Sequence, residues 1–143
     1  MVLKKRTFEF RSLRTAEQEI KKLIQKTSSQ PNPELFISVG RFSENAEHVL
    51  AMANACKCKL NINAILGPDV FEGVLKILKE NPNYKIIKVI KHKNGHMPNY
   101  LFSDSGFYLQ NGLKFDDAIV SFEKDGINDF LNSVYLQTLG EAA

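Results

Sequence analysis

The stretch LFISVGRFSENAEHVLAMANACKCKLNINAIL, residues 35–66, decides the fold. Leu35 to Val39 is a short apolar run closed by Gly40, the pattern of a strand buried on both faces. Ser43 then opens a helix whose Ala46, Val49, Leu50 and Ala53 recur at helical spacing. From Leu60 the pattern alternates and turns fully apolar at Ile65 and Leu66, so a second strand follows. Strand, helix and strand in succession favour a mixed sheet covered by helices on both faces.

Working outward, the same alternation continues on both sides. Upstream, Thr7 to Phe10 alternates as a short edge strand. A helix is expected from Thr15, with Gln18 as its capping-box partner and Ile20, Leu23 and Ile24 as its apolar stripe. Pro31 and Pro33 end it, because proline cannot continue a helix. Downstream, Gly67-Pro68-Asp69 stops the second strand, and Asp69 with Glu72 caps a helix that buries Phe71, Val74, Leu75 and Leu78. Asn81-Pro82-Asn83 terminates that helix. Strands are then expected over Tyr84 to Ile90, Tyr100 to Ser103, Phe107 to Leu109 and Ala118 to Phe122, with turns at Asn94-Gly95, Ser105-Gly106 and Asn111-Gly112. A last helix from Asp125 buries Ile127, Phe130, Leu131 and Val134, and Glu123 and Asp125 serve its turn and cap. The predicted fold class is α/β: a mixed β-sheet flanked by helices, one domain over residues 1–143.

Composition bounds the function classes. Of 143 residues, 43% are hydrophobic and 24% charged, the balance of a globular chain. The N-terminus lacks the apolar run of a secretory signal or a membrane span, so a cytoplasmic address is expected. Cys56 and Cys58 read as two ordinary thiols rather than a disulfide framework, and no metal-ligand cluster, glycine-rich phosphate loop or Ser-His-Asp arrangement is visible. No cofactor or metal is implied. Net charge is only +3, but Lys85, Lys88, Lys91, His92 and Lys93 collect before His96, and Lys4, Lys5, Arg6, Arg11 and Arg14 form a second basic group.

The chemistry-bearing stretch is HKNGHMPNYLFSDSGFYLQ, residues 92–110. His96 sits where a loop becomes a strand, a position from which an imidazole can attack or protonate a phosphate ester. Asp116-Asp117 is the ordinary chemistry of a turn, and His48 belongs to a helix surface. The aromatic residues Tyr100, Phe102, Phe107 and Tyr108 alternate along two strands. They are expected to pack the sheet or, if one pair faced solvent beside the lysines, to stack single-stranded nucleic acid.

His96 and the apolar strand after it resemble the signature of the phospholipase D superfamily, in which a His, one residue, a Lys, four residues and an Asp introduce a strand. The closing DAIVSFEKDGINDFLNSVY and the opening residues 35–66 are similar to that family's flanking elements. The resemblance covers residues 35–137, with 1–34 as an N-terminal strand and helix. It implies a phospholipase D-like architecture with a degenerate motif: Pro98 stands at the lysine position and Ser103 at the aspartate position, with Asp104 one residue late. In the family's reaction, lysines stabilise the negative non-bridging oxygens while one His attacks phosphorus and another protonates the leaving group. Proline carries no cation and no backbone donor, and a one-residue slip in a strand turns Asp104 to the other face.

The resemblance thus implies His96, Ser103 and Asp104 as the catalytic remnant. Lys91, His92, Lys93, Asn99 and Asn111 are the candidate ligand-binding residues. The role that follows is non-catalytic: binding a phosphate-bearing ligand, either nucleic acid or a phospholipid headgroup, or a protein partner. The alternatives are a metal-independent phosphodiesterase or nuclease whose composite site takes His96 from both chains of a homodimer, and a structural adaptor.

Overall fold

The computed structural model describes residues 8–9, 13–39, 43–55, 60–67, 72–89, 98–110 and 118–140. In chain order they form β1 (Phe8–Glu9), α1 (Leu13–Ser28), β2 (Glu34–Val39), α2 (Ser43–Ala55), β3 (Asn61–Leu66), α3 (Glu72–Glu80), β4 (Tyr84–Val89), β5 (Asn99–Ser103), β6 (Gly106–Gln110) and β7 (Ala118–Ser121). A helical C-terminal segment follows: α4 (Lys124–Phe130), a π-helical turn (Leu131–Tyr135) and α5 (Leu136–Gly140).

The strands form one mixed sheet in the order β1-β7-β6-β5-β2-β3-β4. Residues 35–66 form the expected strand, helix and strand, and β2 and β3 pair in parallel over their whole length, Glu34 with Asn61 through Val39 with Leu66. β4 continues the parallel half. On the other side of β2 the sheet is antiparallel, running through β5, β6, β7 and β1. The chain therefore crosses from the β4 edge back to the middle of the sheet before laying down β5.

Each face carries its own apolar layer. Ile20, Leu23 and Ile24 of α1, Val49 and Leu50 of α2, and Val74 and Leu78 of α3 pack with Leu35, Ile37, Ile62, Ala64, Leu101, Tyr108 and Val120. On the opposite face Phe130 and Val134 close over Tyr100, Phe102, Phe107 and Leu109. Phe130 is the centre of that second layer. Its ring stacks on Phe107 at 4.5 Å, meets Tyr100 edge-on at 5.0 Å and lies 5.1 Å from Phe102, geometries that aromatic quadrupoles favour. Gly126 lets α4 approach β7 this closely, since a Cβ there would fall 2.6 Å from Ser121 Oγ.

Two local expectations are corrected. α1 starts at Leu13, so Thr15 lies inside the helix rather than capping it. Glu123 occupies the N-cap position of α4 without a side-chain capping bond; its own N–H donates to Ser121 Oγ at 3.1 Å instead. Asp69 and Phe71 lie outside the described residues, where the expected cap of α3 would be found. Elsewhere side-chain bonds tie elements together as turns require. Tyr84 Oη donates to Asn54 Oδ1 at 2.7 Å, joining the end of α2 to the start of β4, and the Asn83 N–H donates to Asn81 Oδ1 at 3.0 Å.

Candidate functional site

The candidate site is organised by the β5–β6 hairpin. Asn99 pairs with Gln110 and Ser103 with Gly106, leaving Asp104 and Ser105 as a two-residue turn. Side chains alternate along β5. Leu101 and Ser103 face the α1 layer, whereas Tyr100 and Phe102 face Phe130.

Ser103 is only 2% exposed. Its hydroxyl lies 2.7 Å from Thr27 Oγ1. Thr27 spends its single proton on the Leu23 carbonyl at 2.7 Å, so Ser103 must donate to Thr27. Ser103 Oγ in turn accepts the Ser105 N–H at 3.0 Å, and Gln30 Nε2 donates to Ser105 Oγ at 3.3 Å. These bonds clip the hairpin turn to the C-terminal end of α1. Gly106 is required beside them, because a Cβ would meet Ser121 O and Phe122 Cδ1 at 2.8 Å each. Asp104 is exposed at the tip of the same turn.

The other end of β5 is fixed separately. Pro98 offers its carbonyl to the Ser38 hydroxyl at 2.6 Å, docking the entry of β5 against β2. Asn99 follows, half-buried. At about 3.4 Å per residue the four steps from Asn99 to Ser103 span about 13 Å. The fold therefore holds Ser103 and Asp104 at one end of the strand and Asn99 at the other. His96, Lys91, His92, Lys93 and Asn111 lie outside the described residues, as do Cys56, Cys58 and Asp116-Asp117.

The solvent-facing stacking platform is overturned. Tyr100, Phe102, Phe107 and Tyr108 are all buried, each 4% exposed or less. Tyr100 Oη is buried without a hydrogen-bond partner. Burial pushes its ionisation well above the ordinary tyrosine value; the nearby Thr138 hydroxyl opposes this only in part, since Thr138 Oγ1 turns to the Val134 carbonyl at 2.7 Å. Tyr135 is also shifted up, first by burial and then by the charge of Glu34.

Sequence reasoning missed a third basic feature. On α1 the exposed Lys22 and Lys26 converge on one ring: their Nζ atoms lie 4.7 Å and 5.8 Å from the centroid of Phe122. Their spacing along the helix was legible, but the ring between them comes from the far end of the chain. Neither lysine has a carboxylate partner among the described residues, whose ion pairs are His48 with Glu17 and Lys76 with Glu80. Among the described residues no three His, Cys, Asp or Glu side chains gather as a metal would require, and no helix is long and apolar enough to cross a membrane.

The site and its scaffold define an α/β chain built on a mixed sheet. No protein-family model matches it, and no curated protein does. Among solved structures it is similar to TrmBL2, an archaeal chromatin protein whose structure shows a novel mode of DNA binding. That likeness has a TM-score of 0.53 at 11% identity, and it covers 94% of this chain and 53% of the TrmBL2 chain. This chain thus spans about half of the neighbour's length. At such identity the likeness speaks to the fold.

Proposed function

We propose that this chain is a non-catalytic, phospholipase D-like domain that binds the phosphate backbone of nucleic acid. The observation that carries the reading is the convergence of Lys22 and Lys26 on Phe122. Like charges one turn apart on a helix are mutually unfavourable by a few tenths of a kcal/mol. The ring quadrupole offsets part of that repulsion, and a phosphate seated between the two ammonium groups would remove the rest.

The binding of DNA named for TrmBL2 agrees in kind with a nucleic-acid partner. The phospholipase D resemblance belongs to the same proposal, supported by the β2-α2-β3 opening and by the aromatic-bearing helix after β7. The non-catalytic part is supported by Ser103, whose hydroxyl is engaged in holding the hairpin to α1.

The test is anisotropy of fluorescein-labelled single- and double-stranded oligonucleotides across a sodium chloride series. Each phosphate contact releases counterions, so log K should fall linearly with log salt. Lys22→Ala with Lys26→Ala should flatten the slope by about 1 to 2. An unchanged slope sinks the reading. The composite phosphodiesterase is tested in parallel with bis-p-nitrophenyl phosphate and no metal: turnover abolished by His96→Ala would replace this proposal with an enzyme whose two chains share a site.

A further inference from the structure

The sheet ends at β4, and this edge is built unlike the rest of the molecule. Among the described residues β4 pairs only with β3, so its outer row of N–H and C=O groups has no strand beside it. Three large apolar side chains remain exposed along its six residues: Ile86 at 39%, Ile87 at 41% and Val89 at 49%. The pairing fixes which face each side chain takes. Ile86 lies beside Ala64 and Val89 beside Leu66, on the face that carries α2 and α3. Lys85 lies beside Asn63 and Lys88 beside Ile65, on the opposite face. The register shifts between Ala64 and Ile65, which leaves Ile87 as an extra residue in β4 without a partner on β3.

Lysines and bulges are the devices that keep exposed edges from pairing with copies of themselves. An antiparallel, twofold-related copy would join lysine face to lysine face, and like charges opposite one another are destabilising. Defence alone would have placed polar residues at 86, 87 and 89 as well. The exposed apolar side chains next to lysines that have no carboxylate partner among the described residues instead describe one half of a complementary pair.

We propose that the outer edge of β4 accepts an extended strand from a protein partner, one that alternates acidic and apolar residues. Its main chain continues the sheet. Its carboxylates lie along Lys85 and Lys88, and its apolar side chains lie along Ile86 and Val89. This surface does not depend on the nucleic-acid reading, which rests on Lys22, Lys26 and Phe122.

The experiment uses the full chain and three labelled octapeptides: alternating Glu and Val, alternating Lys and Val, and the Glu-Val peptide N-methylated on every amide. The Glu-Val peptide should bind saturably and about tenfold more tightly than the Lys-Val peptide. Lys85→Glu with Lys88→Glu should reverse that order. N-methylation changes only the peptide and should abolish binding, because it removes the main-chain donors of the added strand. Lys22→Ala with Lys26→Ala should leave peptide affinity unchanged. Equal affinity for the two charged peptides, tight binding of the N-methylated peptide, or displacement of bound Glu-Val peptide by an oligonucleotide would overturn the proposal. So would a dimer in sedimentation that Ile87→Lys dissolves, since the occupant would then be a second copy.

Discussion

β4 and the β5–β6 hairpin belong to one sheet and are both rich in apolar residues, yet they end in opposite environments. Tyr84 to Ile90 reads from its sequence as an apolar-rich strand, as do Tyr100 to Ser103 and Phe107 to Leu109. In the fold every residue of β6 is buried, and of β5 only Asn99 is not, whereas β4 keeps only Tyr84 inside. The hairpin lies between β2 and β7, with α1 over one face and Phe130 over the other. Among the described residues β4 has a neighbouring strand on one side only. An apolar run states that a segment is a strand; its rank in the sheet decides whether the run is a core or a surface.

The comparison can be broken most forcefully at Phe130. Phe130→Ala should cost about 3–5 kcal/mol in denaturant unfolding, since a fully buried ring with three aromatic neighbours leaves a cavity when removed. A loss under about 1 kcal/mol would show that the second layer contributes little.

Ser103→Asp comes next. It restores the residue that the phospholipase D pattern places at this position, but into a site closed by Thr27 and Ser105. A buried carboxylate without a cation is costly, so the variant should unfold at lower denaturant and gain no phosphodiesterase activity. Equal stability together with new hydrolysis would mean that the position faces a working site.

A smaller effect lies in pH. Because folding holds the Tyr100 proton above its ordinary value of 10.0, the stability tied to that neutral hydroxyl is full below pH 10 and is lost as pH rises further. The melting temperature of the parent should fall more steeply above pH 10 than that of Tyr100→Phe. At neutral pH the Phe variant should match the parent or exceed it, as the hydroxyl it deletes has no hydrogen-bond partner. Parallel curves would contradict this.

Ile87→Ser should be the mildest change, within about 0.5 kcal/mol, because Ile87 is exposed and stands out of register. A larger loss would mean that β4 is covered in solution.

Much of the fold was legible because it rests on local patterns. The Leu35 to Leu66 opening, the stripe of Ile20, Leu23 and Ile24, and a hairpin turn, which falls at Asp104-Ser105 rather than one residue later, all follow from spacing along a short stretch. What escaped was set by partners distant in sequence. Nothing near Ser103 announces Thr27, 76 positions away. Phe122 gives no sign of the lysines on α1, and the seat of β5 beside β2 rather than β4 depends on the whole topology. The candidate site was less legible for the same reason. Spacing marked Ser103 as a departure from a motif but could not reveal what its hydroxyl holds.

The π-helical turn has a consequence for the tail of the chain. Gly126, Phe130, Val134 and Thr138 are buried in an unbroken period of four. An ideal α-helix advances about 100° per residue, so over those twelve positions the row would wind about 120° away from the sheet. The widened turn at Leu131–Tyr135 takes up part of that rotation by holding an extra residue. Wound as an ordinary α-helix with every residue kept, the eight steps from Phe130 would instead carry Thr138 about 80° off that face and toward water. A single inserted residue thus acts as the rudder of the C-terminus.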